Sequence, residues 1–256
     1  MSHKEDFLSQ CIILDTETTG KDYKTAEIIE TGFVIRENTE WVIFQELHKP
    51  ELKIPPAVEA LCYITNKMVE DKTIFADNKE TFQMVVDGFT DGYVVGHNYF
   101  YDMKVLQNHG IIMPKNSICT YRMAKKIFNN MPEIEHTNLP YLRFALELDV
   151  PIEMRCHRAG NDSFITGKLL EVLIDLMETT KILNIDEPYG PQISNWVAEP
   201  IIFDRMTFGK HKGELMTDIP KSYWLWATKN MDALNEEADN FDPDLAASVH
   251  RALGID

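Results

Sequence analysis

Apolar positions along the chain follow one rhythm up to Leu47 and another after it. Three early runs, Cys11–Asp15, Ile28–Ile35 and Trp41–Leu47, are rich in branched and aromatic residues and predict strands. Gly20 and a polar turn follow the first, and Glu37-Asn38-Thr39 separates the second from the third. Pro55 and Pro56 then open a helical stretch through Ala60, and a second helix is predicted around Phe82–Phe89. Tyr93-Val94-Val95-Gly96 predicts a short buried strand. Helical patterns follow at Asp102–Asn108, Tyr121–Phe128, Leu139–Leu146 and Asp162–Thr179. The last is the most periodic, with Ile165, Leu169, Val172, Leu173 and Leu176 at helical spacing. Three strands followed by alternating helix and strand predict an α/β fold with a mixed sheet.

The periodicity dissolves around Leu183–Pro200, where Pro188, Gly190, Pro191 and Pro200 punctuate the chain. That predicts a linker over 183–203, between a main domain of residues 1–182 and a small C-terminal module of residues 204–256. A unit that short builds little core of its own. There is no internal repeat and no low-complexity tract.

Composition narrows the class. The chain has 256 residues, 44% hydrophobic and 26% charged, the balance of a soluble globular protein with a sizeable core. No apolar run approaches the ~18 residues of a membrane span, and MSHKEDFLSQ is too charged for a secretory signal. The expectation is a cytoplasmic protein with no membrane partner. Cys11, Cys62, Cys119 and Cys156 form no CxxC pair, so neither a disulfide framework nor a zinc knuckle is indicated. The net charge of −16 repels polyanions at long range. Work on nucleic acid would therefore need metal ions or a local basic patch.

Acidic residues sit where such ions could bind. Asp15 and Glu17 lie two apart at the carboxyl end of the first strand, so their side chains share a face. Two neighbouring carboxylates need a cation, and an all-oxygen set suits Mg²⁺ or Mn²⁺. Alone, an Asp-x-Glu is more often a solvated strand end. A second acid, Asp102, follows Asn98 where a strand end meets a helix start, the place where α/β sheets hold ligands. The bland reading puts Asp102 in the helix's first turn, favoured by the dipole. The third element is His157-Arg158-Ala159-Gly160-Asn161-Asp162. Five positions on a regular helix put side chains ~140° apart, so His157 is expected in the loop and Asp162 at the helix start. A lone histidine is usually structural or solvent-facing.

Taken together, Asp15-x-Glu17, Asn98-x-x-x-Asp102 and His157-x4-Asp162 resemble the motif set of the DEDDh 3′→5′ exonucleases, a family with an RNase-H-like fold. Ile12–Gly20 resembles the family's first motif, Glu27-Ile28-Ile29-Glu30 its second strand, and Ile54–Val69 its helix-and-wedge region. Ile118-Cys119-Thr120 resembles the segment after the second acidic motif, and the likeness covers about residues 11–180. Ile64 stands where relatives usually carry a histidine, a departure at a nucleotide contact. The resemblance implies two divalent ions, Mg²⁺ or Mn²⁺, one on Asp15, Glu17 and Asp162 and one on Asp15 and Asp102. It further implies His157 as general base, a role that suits a residue type ionising near neutral pH. Thr16, Thr18 and Asn98 are the implied substrate contacts in that domain.

The tail carries Thr207–Gly213, containing Phe-Gly-Lys-His-Lys-Gly, and then Pro220–Trp226. From Arg205 to Lys229 five Lys/Arg face two acids, a local +3. Lys210 and Lys212 are expected to contact phosphate, with aromatics available to stack on unpaired bases. The competing reading gives Phe208, Tyr223, Trp224 and Trp226 mostly to the module's own core. Arg122, Lys125 and Lys126 make a second basic strip, read as a solvated helix face.

The sequence thus predicts a metal-dependent 3′→5′ exonuclease that hydrolyses DNA to nucleoside 5′-monophosphates, with repair or recombination as the expected setting. Its partners are DNA 3′ ends, single strands preferred and duplex allowed. The alternatives are a 3′→5′ exoribonuclease, a non-catalytic nucleic-acid-binding protein and a proofreading subunit. The complete acidic set counts against the second, because binding alone favours losing those charges.

Overall fold

The computed structural model describes every residue except Met1, Asn130, Pro132, Asp239, Asn240 and Asp256. Two compact units emerge, Met1–Val197 and Ala198–Asp256.

The first unit is built on a five-stranded sheet. Strands β1 (Cys11–Thr18), β2 (Ile28–Glu37) and β3 (Glu40–Leu47) form an antiparallel meander. Strands β4 (Tyr93–Gly96) and β5 (Ser117–Cys119) add in parallel on the other side of β1, giving the order β3-β2-β1-β4-β5. This is the mixed α/β architecture expected from the sequence, with β5 too short to show alternation.

Side-chain alternation on β1 divides the core in two. Ile13, with Val34 and Trp41, packs under α8 (Ala159–Thr179) through Ile165, Leu169, Leu170 and Leu173. Ile12 and Leu14 point the opposite way, onto Phe75, Phe82 and Val86 of α4 (Phe75–Asp87) and Val105 and Leu106 of α5 (Phe100–Asn108). Burial of each such side chain stabilises the fold by about 1.5–3 kcal/mol. α4 begins two turns before the predicted start, because Asp77-Asn78-Lys79-Glu80 hides the recurrence of Phe75, Phe82 and Val86.

The remaining helices of this unit are α1 (His3–Ser9), α2 (Pro56–Cys62), α3 (Asn66–Val69), α6 (Thr120–Phe128), α7 (Leu139–Ala145) and α9 (Tyr189–Ala198). α1 was not expected in so polar a stretch. Ser2 caps it by accepting from the Glu5 amide at 3.2 Å, while Phe7 and Leu8 bury completely enough to anchor it.

The middle of the stretch read as a linker is a helix, Tyr189–Ala198. Pro191 sits in the first turn of α9, where a missing amide costs nothing, and Gly190 lies so close to Tyr93 that a Cβ would fall 2.2 Å from its hydroxyl. Tyr189, Ile193 and Val197 are buried in the α8 core. The basic strip serves this packing instead of facing water. Arg122 Nε donates to the Val197 carbonyl at 3.2 Å, and Lys126 lies 4.6 Å over the Trp196 ring.

The second unit has its own core of Met206, Met216, Ile219, Trp224, Ala227, Leu245 and Val249. A hairpin-like turn over 206–214 is closed by Met206 N–H to Glu214 O (2.9 Å) and Gly213 N–H to Met206 O (2.8 Å). Gly209 and Gly213 adopt φ of +69° and +88°, conformations that would strain other residues. Helix α10 (Lys221–Asn230) follows, and then α11 (Pro243–Leu253), capped by Asp242, whose carboxylate accepts from the amides of Asp244 and Leu245 at 3.0 Å each. Ile201 is buried here and its amide donates to Asp244 at 2.9 Å, so residues 201–203 belong to this unit. Among the described residues no helix is long and apolar enough to cross a membrane.

Candidate active site

Because β1 and β4 run parallel, their carboxyl ends deliver Asp15, Glu17 and the start of α5 to one edge of the sheet. Asp15 pairs across from Gly32 and Glu17 from Glu30, with a register shift between Glu17 and Thr18 where β1 ends. Both carboxylates share the face against which α8 packs. Asp102, in the first turn of α5, is drawn in by β1 itself. Its Oδ1 accepts from the Thr16 amide at 2.9 Å and the Thr16 hydroxyl at 2.6 Å.

Asp162 arrives through an unusually close approach of helix and sheet. A Cβ at Gly32 would lie 2.1 Å from the Gly160 nitrogen, so only glycine lets α8 rest its first turn on the β2 backbone. The Ser163 hydroxyl completes the contact by donating to Gly32 O at 3.1 Å. His157 lies in the loop before α8, as expected, with a φ of +62° that non-glycine residues seldom adopt. Its amide donates to Asp162 Oδ2 at 2.9 Å.

A pair that sequence reasoning did not assign fixes this corner. Glu30 is fully buried, and Arg158 grips it with Nε at 3.1 Å from each carboxylate oxygen and Nη2 at 2.6 Å from Oε1. The Ala159 amide donates to Oε2 at 2.8 Å. The clamp holds the residue after His157 and the first residue of α8 onto β2. A carboxylate inside Ile28-Ile29-Glu30 was the available signal, since a buried charge needs a cationic partner.

Electrostatics at the site are those of crowded acids. Burial pushes Asp15 well above the usual carboxylate range, and Asp102, Asp162, Glu17 and Glu30 add repulsion. Burial raises Glu17 to about 8, with Asp162, Glu30 and Asp102 contributing and Arg158 opposing. Asp162 is raised to about 7 by burial, against the hydrogen bond from the His157 amide. Asp102 reaches about 6, burial outweighing the donors of Thr16.

The acids are suited to hold metal. Ligand atoms of Glu17, His157 and Asp162 all lie within 4.8 Å of one another. Asp162 Oδ1 is buried without any hydrogen-bond partner, an orphaned oxygen that a cation would satisfy. The proximity of the imidazole means His157 is placed either to move a proton or to ligate.

Among the expected substrate contacts, Asn98 sits in the β4–α5 turn with φ +59°. The hydroxyls of Thr16 and Thr18 are engaged internally, Thr16 on Asp102 and Thr18 on Gly20 O (2.8 Å) and the Tyr101 hydroxyl (2.7 Å). Ile64 is fully buried with Ile29, Ile54, Cys62 and Val69, so the position that departs from the family pattern is part of a core. Lys210 and Lys212 stand exposed on the hairpin of the second unit, flanking a buried His211.

This fold and this arrangement of four acids and a histidine define a 3′→5′ exonuclease of the DEDDh type. The Exonuclease (RNase_T) family profile matches residues 12–170, and the chain belongs to that family. It is 28% identical over 229 residues to exodeoxyribonuclease 10 of Escherichia coli K12, covering 88% of this chain and 93% of that protein. It is 32% identical over 178 residues to the 3′-5′ exonuclease DinG of Bacillus subtilis, spanning 65% of this chain and 18% of that larger protein. Among solved structures, exonuclease X in complex with 5′-overhanging duplex DNA superposes with a TM-score of 0.55 at 24% identity, over 73% of this chain and 99% of that one. E. coli exonuclease I in complex with a dT13 oligonucleotide gives 0.56 at 15% identity, over 67% and 42%. At these identities the structural likeness concerns the fold.

Proposed function

We propose that the protein is a metal-dependent exodeoxyribonuclease that removes nucleoside 5′-monophosphates from DNA 3′ ends, preferring single strands and acting in repair or recombination. The observation that carries this reading is the meeting of Glu17, His157 and Asp162 within 4.8 Å around an unpaired Asp162 oxygen, beside the partly buried Asp15 and the buried Asp102. The names of the relatives support DNA as substrate, one being an exodeoxyribonuclease and two neighbours being DNA complexes.

In this reading Asp15, Glu17 and Asp162 hold one ion, and Asp15 with Asp102 holds a second. A pair of Mg²⁺ or Mn²⁺ ions supplies, when bound, the Lewis acidity that makes water nucleophilic near neutral pH and stabilises a leaving 3′-oxygen. His157 takes the proton of the attacking water. The hydrogen bond from its backbone amide to Asp162 and the Arg158–Glu30 clamp behind it fix the backbone from which the ring projects. Asn98 borders the 3′ end. Thr16 and Thr18, their hydroxyls being engaged, act by holding Asp102 and Tyr101 in place. Lys210 and Lys212 contact phosphates of the strand, and residues 204–256 thereby serve as a nucleic-acid-binding module.

End-labelled single-stranded DNA, duplex DNA and RNA, each with Mg²⁺, Mn²⁺ or EDTA, test the proposal directly. It expects laddering from the 3′ end of DNA, fastest on single strands, and no product in EDTA. Faster loss of RNA would transfer the enzyme to exoribonucleases, and full activity in EDTA would remove metal from the mechanism.

A further inference from the structure

The second unit divides its aromatic residues between two environments. Trp224 is 1% exposed, and its indole N–H donates to the Met216 carbonyl at 3.2 Å. Trp226, two positions along the same helix, is 53% exposed. A unit with so little core to build gains nothing in packing by leaving its second indole in water.

The exposed ring is not isolated. His211 and Tyr223 meet edge to face at 4.4 Å between centroids, and Tyr223 and Trp226 follow at 5.8 Å. This run of rings starts inside the hairpin that presents Lys210 and Lys212, with Phe208 39% exposed on the same turn, and ends on α10. Lys229, three residues after Trp226, shares its helix face. No acid occurs between Asp218 and Asp232, so α10 is a cationic helix within a chain of net charge −16. Glu214, the acid nearest in sequence to the lysines, is engaged with His211 Nδ1 at 3.0 Å.

Flat rings alternating with cations are the chemistry of an unpaired nucleic-acid strand: each base offers a π-face and each linkage an anion. A duplex hides those faces in its own stack. Leu225 is also exposed on α10, so the binding test below includes probes that separate stacking on bases from contact with other surfaces. We propose that Tyr223 and Trp226 form a base-stacking platform that holds unpaired DNA, with Lys210, Lys212 and Lys229 along its backbone. The inference deepens the nuclease reading above and rests on it for the identity of the strand, which is the enzyme's own substrate.

The test is equilibrium binding of the full chain in EDTA, where no hydrolysis confuses the readout. The probes are fluorescein-labelled dT20, a blunt 20-base-pair duplex, and an abasic 20-mer that keeps the phosphates but has no bases. Trp226→Ala is expected to weaken dT20 binding by about 5-fold or more, the range that loss of one stacked base gives. Trp226→Phe is expected to restore most of that loss, and the abasic strand is expected to bind wild type and Trp226→Ala alike. Because Trp226 is outside the core, the variant folds, which the unchanged melting curve checks. Undetectable binding of dT20 by wild type, equal affinity of Trp226→Ala for dT20, or an equal loss on the abasic strand would each overturn the platform. Hydrolysis assayed in parallel with Mn²⁺ keeps the two readings apart. An active enzyme whose Trp226→Ala variant binds dT20 normally loses only the platform, whereas an inactive wild type with stacking-dependent binding loses only the nuclease.

Discussion

Thr16 gives both its backbone amide and its hydroxyl to a single oxygen of Asp102, at 2.9 and 2.6 Å, and so ties the first turn of α5 to the end of β1. One residue thereby serves two demands. It fixes the position of an acid proposed to hold metal, and it satisfies two buried donors on the strand. The same contact decides how the acid should be probed.

Asp102→Asn keeps an oxygen to accept from Thr16 while removing the charge. It is expected to abolish turnover with little change in melting temperature. Asp102→Ala strands the Thr16 donors in the interior, which costs about 1–3 kcal/mol, so it should lose both activity and stability. Asp15→Asn is expected to be inactive and at least as stable as wild type in EDTA, because it relieves repulsion from four neighbouring acids. Thermal melts beside turnover measurements separate the cases. Substantial activity in Asp15→Asn or Asp102→Asn would remove those acids from the mechanism.

The crowding of acids also sets a pH dependence in the absence of metal. Asp162 is raised to about 7 and Glu17 to about 8, above the ~4 of an unfolded carboxylate. Between those limits the folded chain holds more protons than the unfolded one, so stability present at low pH falls as pH rises. His48 and His97, lowered to about 4 by burial, act the other way, but only below the unfolded histidine value of ~6.5. The window from about pH 6.5 to 8 therefore reports the carboxylates. In EDTA the melting temperature is expected to fall across that window, and Mg²⁺ or Mn²⁺ to raise it most at the alkaline end, where the ligands are ionised. A melting temperature flat with pH and blind to metal would contradict the assignment.

The Arg158–Glu30 pair offers a test of positioning. Glu30 is fully buried, so Arg158→Met leaves an uncompensated interior charge, a loss of about 3–5 kcal/mol for a fully buried pair and less here, where Arg158 is a quarter exposed. Adding Glu30→Gln is expected to recover much of that stability without recovering kcat, because the residue next to His157 is still released from β2. Recovery of both together would make the clamp purely structural.

Much of this is legible in the sequence itself. The long elements are, because β1, β2, β3 and α8 each repeat their pattern enough to be recognised. α3 and β5, of four and three residues, carry no period to read. α9 was concealed by Pro188, Gly190 and Pro191, which suggest a break in sequence but in the structure start a helix against Tyr93. The four acids and His157 stand out as candidates in the sequence because each lies in a short motif at an element end. The Glu30–Arg158 clamp does not, since its partners are 128 residues apart and no local spacing links them. Nor could sequence decide which tryptophan was core: Trp224 and Trp226 differ only in the helix face they occupy.

His157 stands within 4.8 Å of two acids, where it could be base or ligand. As general base, His157→Ala should lose roughly 10²- to 10⁴-fold in turnover and keep its metal affinity. Calorimetric titration with Mn²⁺ decides. A much weaker Mn²⁺ isotherm in the variant would make the imidazole a ligand and leave proton transfer to another group.

Lys210 and Lys212 stand on a hairpin closed by hydrogen bonds at residues 206, 213 and 214 and flanked by two positive-φ glycines, so their loss should leave the module folded. If each contacts phosphate, each contributes a slope of about 0.7 to the dependence of log affinity on log salt for a single strand. Lys210→Ala with Lys212→Ala is then expected to flatten that dependence by about 1.4 and to raise KM most at low salt. At saturating substrate kcat should stay near wild type, because the reacting groups belong to the first unit. Truncation after Pro200 is expected to give the same signature more strongly, since it also removes the aromatic surface. Were the module a docking unit for another protein, kinetics on naked DNA would be indifferent to both changes. Matching KM and salt slopes for wild type and the double variant would therefore assign the hairpin to protein contacts and confine DNA handling to the DEDDh unit.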